Sequence, residues 1–265
     1  MKAGISTASL FLRCNNEDAV SFLNEIKTDT AEVFLTSRSE YGYPFAELLV
    51  KNKGDLLINS VHALTSDFEP QLFSAHPRVR DDATELLDKV LESANTLHAK
   101  YYSFHGLVRA KKGEREGVKD HFDKLIARFS DISERCERAG VTLCLENVEW
   151  STYNRLGVFQ TIANEVKTLR GVLDIKQARL SGIPYENYLT EMGEKIAYVH
   201  ISDIDENGKM CLPGKGVFDF KTLLKRLNDV GFDGALLIEA YAGDYERIEE
   251  LKNSYAYVKE LLGDF

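Results

Sequence analysis

The stretch AYVHISD, from Ala197 to Asp203, places a histidine inside a run of residues that suit a buried strand. Side chains alternate between the two faces of a strand, so Tyr198, His200 and Ser202 are expected on one face and the apolar residues on the other. A single histidine at such a place is most often a core residue that is hydrogen-bonded to a neighbour. The interpretation of His200 therefore depends on whether other strands end in the same way.

Apolar runs of strand length recur along the chain, separated by longer segments of helical periodicity such as residues 81–100. The eight predicted strands lie at residues 3–8, 31–35, 56–62, 101–105, 141–146, 170–175, 196–202 and 234–239. Strict alternation of strands and helices predicts a parallel sheet, and eight such units in 265 residues favour a closed barrel. We therefore predict an α/β protein made of a single (β/α)8 TIM barrel, with one domain over residues 1–265. Nucleotide binding is disfavoured because no GxGxxG or GxxxxGK[ST] motif follows a predicted strand.

Charge and composition narrow the choice of partners. The formal net charge of −9 disfavours nucleic acid, whose binding depends on neutralising phosphates. One basic stretch, VRAKKGER at Val108 to Arg115, is a local exception that we interpret as a solvated loop. The four cysteines form no CxxC pair, and the chain has neither a run of membrane-spanning length nor a signal-peptide pattern. We expect a cytoplasmic protein with reduced thiols and no membrane association, and we leave open whether it is a homo-oligomer.

Six of the predicted strands end in residues of metal-ligand type: His62, His105, Glu146, Asp174, His200 and Glu239. The carboxyl ends of parallel barrel strands meet on one face, so these residues are expected to be neighbours. Unpaired carboxylates in such a place are costly, and a cation would offset that cost for all three at once. The alternative is a structural polar layer in which a glutamate pairs with Lys176 or Lys215. We favour a divalent ion, with manganese, magnesium, cobalt and zinc all compatible with the residue types.

Short motifs at these strand ends carry a family resemblance. They are SVHA, SFHG, LCLEN, VLDIKQA, VHISD, LPGKG at Leu212 to Gly216 followed by FDF, and LLIE. Together they resemble the xylose isomerase-like TIM-barrel superfamily, which includes sugar isomerases and epimerases and the endonuclease IV type of apurinic-site nuclease. The resemblance covers nearly the whole chain. It implies a metal held by Glu146, Asp174, His200 and Glu239, with His62 and His105 facing the same pocket. In the nucleases, histidines at these two places bind a second zinc.

Two departures from the family pattern separate its branches. The D-x-x-H motif of strand six appears as Asp174 to Gln177, and Gly208 and Met210 stand near where a D-x-H motif would precede the PGxG loop. The missing groups would hold the third zinc of the nucleases, so a trinuclear centre that cleaves phosphodiesters is disfavoured. Gln177 also replaces a histidine that contacts substrate in several epimerases, although its amide can still bind a hydroxyl.

The resulting hypothesis is a metal-dependent sugar isomerase or epimerase that moves a proton next to the carbonyl of a small ketose-like or polyol-derived substrate. Glu146 and Glu239 would take and return the proton, as the resemblance to ketose 3-epimerases implies. The predicted substrate-binding residues are His62, His105, Gln177, Trp150 and Lys215. Asp203 is expected to orient the pocket without binding metal. The alternatives are an inosose dehydratase, an apurinic-site endonuclease and a sugar-binding protein without catalytic activity.

Overall fold

The computed structural model describes residues 1–108 and 118–263. Most of the basic stretch interpreted as a solvated loop, from Arg109 to Arg115, lies outside the described residues. Eight parallel strands close into a barrel. They are β1 (Lys2–Ser6), β2 (Thr30–Leu35), β3 (Ile58–Ala63), β4 (Tyr101–Phe104), β5 (Thr142–Glu146), β6 (Arg170–Asp174), β7 (Ile196–Ile201) and β10 (Ala235–Ile238). Their order around the barrel is β1-β10-β7-β6-β5-β4-β3-β2. The predicted (β/α)8 barrel is confirmed.

Helices lie between the strands of the barrel. The α-helices are α1 (Asn16–Glu25), α2 (Tyr43–Asn52), α3 (Thr65–Phe68), α4 (Pro77–Thr96), α5 (Val118–Arg138), α6 (Val158–Glu165), α7 (Ile175–Leu180), α8 (Tyr185–Met192), α9 (Phe220–Asp229) and α10 (Glu249–Gly263). Short 3-10 helices occupy Thr7–Leu10, Arg38–Glu40, Pro70–Phe73 and Gly193–Lys195. The first of these ends β1 at Ser6, so the predicted first strand was two residues too long at that end.

Two layers of buried side chains hold the barrel together. The larger layer lies between strands and helices, where α4 buries Leu87, Val90 and Leu91 at the helical spacing read from the sequence. The smaller layer fills the inside of the barrel and includes Tyr198 and Leu237. Closure brings β1 beside β10, where Ile5 pairs with Ile238. Among the described residues, no helix is both long and apolar enough to cross a bilayer.

The chain departs from simple alternation after β7. Two short antiparallel strands, β8 (Asp203–Ile204) and β9 (Met210–Cys211), form a hairpin at the carboxyl end of the barrel. This hairpin was not predicted, because strands of two residues leave no alternation pattern to detect. It lies next to the strand ends that carry the predicted ligands.

Candidate metal centre

Four of the strand-end residues converge as expected from a parallel barrel. Glu146 ends β5, Asp174 ends β6, His200 lies near the end of β7, and Glu239 follows β10 directly. Each offers one ligand atom, and these atoms lie within 4.8 Å of one another. All four side chains are buried. The structure thus brings together the complete set predicted to bind metal.

The chemistry of this group fits a divalent cation. Asp174 Oδ2 is buried and has no hydrogen-bond partner among the described residues, whereas Oδ1 accepts from the Gln177 N–H at 2.8 Å. Burial, together with the charges of Glu146 and Glu239, raises the pKa of Asp174 to about 7, despite the opposing charge of Lys176. Three converging carboxylates and an imidazole form a ligand set that suits Mn²⁺, Mg²⁺, Co²⁺ or Zn²⁺. A bound divalent ion would compensate for the negative charge of the three carboxylates.

Glu32 is a member of the site that the sequence interpretation missed. It lies on β2, fully buried, and accepts hydrogen bonds from Ser6 at 2.9 Å, Ser60 at 2.8 Å and Tyr198 at 3.1 Å. Its Oε1 also lies 3.1 Å from His200 Nε2. Burial alone would raise the pKa of Glu32, but the charge and hydrogen bond of His200 lower it to about 2. A carboxylate that accepts the Nε2 proton fixes the imidazole so that Nδ1 is free to act as a ligand.

The two histidines on β3 and β4 face the same pocket. His105 Nε2 lies 2.9 Å from Glu146 Oε2, and its Nδ1 contacts the Thr65 hydroxyl. His62 is buried, its ring lies 4.7 Å from that of His105, and neither ring nitrogen has a hydrogen-bond partner within the described chain. Burial and the nearby His105 lower the pKa of His62. An imidazole whose ring nitrogens have no hydrogen-bond partner is suited to bind a substrate hydroxyl.

A buried lysine adjoins the metal-ligand group. Lys176, in the first turn of α7, has its Nζ 3.4 Å from Glu239 Oε2 and 3.9 Å from the centre of the Tyr241 ring. Burial alone would lower the pKa of Lys176, but the carboxylates of Glu239 and Asp174 raise it above its ordinary value. The structural alternative considered from the sequence paired a glutamate with Lys176. The structure contains such a pair, and it lies beside the metal-ligand group.

The other predicted substrate contacts are placed differently. Gln177 is buried, and its Oε1 accepts from the Glu149 N–H at 3.3 Å. Trp150 is 37% exposed, and its ring lies 5.3 Å from that of His105, at the edge of the pocket. Lys215 does not join them: its side chain is 56% exposed, and its Nζ lies 4.0 Å from Glu250.

Asp203 organises the loop that carries the LPGKG motif. Its carboxylate accepts N–H groups from Ile204 and Phe218 on one oxygen and from Gly214 and Gly216 on the other, all at 2.8–3.0 Å. A Cβ on Gly216 would lie 2.2 Å from the Ile204 carbonyl oxygen, so only glycine allows this close approach. Asp203 therefore shapes the rim of the site and is absent from the groups of residues that could hold a metal.

A cavity of about 360 Å³ lies between α7 and the β8–β9 hairpin. Its lining includes Lys176 and the hydroxyl-bearing Ser202, together with apolar side chains such as Ile183. The cavity thus shares Lys176 with the surroundings of the metal-ligand group. A larger concavity of about 430 Å³ lies around Asp88 and Arg135, and none of its lining residues belongs to the candidate site.

Comparisons with known proteins agree with this fold. A sequence model of the xylose isomerase-like TIM barrel matches residues 20–261. Inosose isomerase of Bacillus subtilis is 26% identical over 170 residues, or 60% of each chain. A D-tagatose 3-epimerase-like protein superposes with a TM-score of 0.80 at 23% identity, covering 99% of this chain and 97% of the other. The zinc-bound IOLI protein superposes with a TM-score of 0.76 at 18% identity, covering 100% and 97%.

These similarities differ in what they establish. The structural neighbours share the fold at low sequence identity, and the chain spans about 60% of the length of the curated relatives it matches. The family match covers nearly all of the barrel and confirms the resemblance read from the strand-end motifs. The chain belongs to the xylose isomerase-like TIM-barrel family.

Proposed function

We propose that this protein is a divalent-metal-dependent sugar isomerase or epimerase. It would move a proton on the carbon next to the carbonyl of a small ketose-like or polyol-derived substrate. The observation that carries the proposal is the buried group of Glu146, Asp174, His200 and Glu239, whose ligand atoms lie within 4.8 Å of one another. When bound there, a divalent ion would polarise the carbonyl and acidify the neighbouring C–H bond.

In the proposed reaction the two glutamates would act on opposite faces of the substrate carbon. Glu146 ends β5 and Glu239 follows β10, and β6 and β7 separate these strands around the barrel. Inversion at a carbon requires removal of a proton from one face and its return to the other, so two bases are needed. Glu146 contacts His105, and Glu239 contacts Lys176, so each carboxylate has a donor that fixes its position.

The remaining predicted residues would orient the sugar. Neither ring nitrogen of His62 has a hydrogen-bond partner among the residues that the structure describes, and His105 lies beside it. Trp150 at the pocket edge offers an apolar surface for the ring carbons of the substrate. Gln177 is buried next to Asp174 and can exchange hydrogen bonds with a hydroxyl. We keep the prediction of a cytoplasmic location, and we do not include nucleic acid among the partners.

The comparisons support a carbohydrate substrate. Neighbours of similar structure include a D-psicose 3-epimerase with D-tagatose and a 3-keto-D-glucoside 4-epimerase, and the curated relatives include inosose isomerases. The zinc in the IOLI protein supports a metal in this one. These proteins suggest ketoses and inososes as the first substrates to test.

The test uses the full chain, stripped of metal by a chelator and reloaded separately with Mn²⁺, Co²⁺, Mg²⁺ or Zn²⁺. Each form is incubated with D-tagatose, D-fructose, D-psicose and inososes, and the products are separated by chromatography. We expect an isomer or epimer to form only in the reloaded protein. Loss of water from an inosose would favour the dehydratase alternative, and ligand binding without any turnover would indicate a sugar-binding protein.

A further inference from the structure

Lys176 is unusual because it is a lysine inside the site. Its side chain is 2% exposed, and it is the only lysine or arginine among the described residues that is buried. The Nζ contacts Glu239 Oε2 at 3.4 Å and lies over the Tyr241 ring at 3.9 Å. An ammonium group is rarely buried unless a negative partner compensates for the lost hydration.

The charges of the site explain why a cation is needed there. Glu146, Asp174 and Glu239 bring three negative charges to the metal-ligand group, while His200 is neutral when it acts as a ligand. A divalent ion would leave one negative charge in a buried place. Lys176 supplies the one positive charge that makes the group neutral as a whole. Glu32, the fourth carboxylate nearby, lies outside this group, and its own negative charge is stabilised by hydrogen bonds from His200 and three hydroxyl groups.

We propose that Lys176 is a positioning residue that balances the charge of the metal centre, weakening its hold on the divalent ion while strengthening its hold on the negative charge of the reacting substrate. The inference rests on the proposed function. Proton removal next to a carbonyl places negative charge on the substrate oxygens, and a centre with an excess negative charge would repel it. The same positive charge opposes a divalent cation, because like charges at short range in a buried site repel strongly.

This arrangement predicts opposite changes in two measurable quantities. Lys176→Met removes the charge and keeps a long apolar side chain that suits a buried position. We expect the variant to bind Mn²⁺ about tenfold more tightly or better. We expect its kcat to fall about tenfold or more, with a smaller change in KM, because the lost interaction acts mainly in the transition state. Lys176→Arg keeps the charge and should lie nearer to the wild type in both quantities.

Metal affinity is measured on the stripped full-length proteins by calorimetric titration with Mn²⁺, without substrate. Lys225→Met is the matched control, because Lys225 is exposed on α9 and the chemical change is the same. It should leave both quantities unchanged. If Lys176 had a purely structural role, Lys176→Met would instead lower the stability of the protein and weaken its metal binding. Unchanged or weaker Mn²⁺ binding by a folded Lys176→Met would overturn the proposal.

Two further outcomes are informative. Lys176→Gln keeps a hydrogen-bond donor without the charge and replaces Lys176→Met if that variant does not fold. If neither neutral variant folds without metal, the proposal requires that Mn²⁺ restores folding, because the ion supplies positive charge. A failure of Mn²⁺ to restore folding would count against the proposal. Tighter metal binding without turnover of any sugar would refute the proposed reaction and the effect of Lys176 on it, and would leave only the effect of Lys176 on metal affinity.

Discussion

Replacement of Glu32 by glutamine tests the residue that orients His200. The Glu32 carboxylate accepts hydrogen bonds from Ser6, Ser60 and Tyr198, and its Oε1 lies 3.1 Å from His200 Nε2. In Glu32→Gln one oxygen becomes an NH2 group that donates, so two of the four contacts are lost and the charge disappears. Each hydrogen bond to a buried charged group contributes about 1.5–3 kcal/mol, so the free energy of unfolding should fall by about 3–6 kcal/mol.

The same substitution should weaken metal binding. Without the Glu32 carboxylate, the His200 ring loses the partner that keeps Nδ1 directed at the other ligands. Loss of such a supporting partner typically costs about 10–100-fold in metal affinity. Urea denaturation would measure the stability, and calorimetric titration of the stripped protein with Mn²⁺ would measure the affinity.

Glu69→Gln provides a control matched for burial. Glu69 is fully buried and accepts hydrogen bonds from the Tyr102 hydroxyl and from the N–H groups of His105 and Gly106, but it belongs to none of the metal-ligand groups. Its substitution should lower stability and leave Mn²⁺ affinity unchanged. If Glu32→Gln bound Mn²⁺ as tightly as the wild type, Glu32 would not orient the ligand and the reasoning would be refuted.

The other predictions concern Asp174, His62 and abasic DNA. Asp174→Asn should abolish metal binding, which a metal titration would measure. It should also raise the free energy of unfolding of the metal-free protein by about 0.5–2 kcal/mol, as measured by denaturation curves, because it removes a buried carboxylate between Glu146 and Glu239. His62→Ala should leave metal content unchanged and raise KM for the sugar, as measured by elemental analysis and steady-state kinetics; unchanged kinetics would remove His62 from the substrate site. Abasic duplex DNA should remain uncut by the Mn²⁺- or Zn²⁺-loaded protein on denaturing gels, because the third-zinc groups are missing; cleavage that disappears in Glu146→Gln would favour the nuclease.

The sequence predicted the barrel and the convergence of the strand-end residues because both leave local signals. A parallel strand buried on both faces appears as a short apolar run, and a ligand at its end interrupts that run with a carboxylate or an imidazole. Closure of the barrel then brings Glu146 and Glu239 together, although 92 intervening residues separate them in the sequence. Asp174 and His200 were found in the same way.

Glu32 and Lys176 were harder to assign because their roles depend on side-chain direction. Glu32 is the only charged residue in the strand Thr30–Leu35, which is a usable signal, but it lies inside the strand and not at its carboxyl end. Lys176 follows a strand and enters a short helix, where the sequence does not determine whether a lysine turns toward the site or toward solvent. The sequence likewise does not determine the direction of Lys215 in the loop of the LPGKG motif. Lys215 was predicted to bind substrate, whereas its side chain pairs with Glu250.

The most direct test of the account is the fate of the substrate proton in Glu239→Gln, loaded with metal and incubated in D2O with a sugar that the wild type converts. The amide can still offer an oxygen to the ion but cannot act as a base near neutral pH. The two-glutamate account predicts that formation of the inverted sugar falls by about a hundred- to ten-thousand-fold after correction for metal content. Deuterium should still enter the substrate from the Glu146 side. Near-normal epimerisation by metal-loaded Glu239→Gln would contradict the account and point to His62 or His105 as the second base.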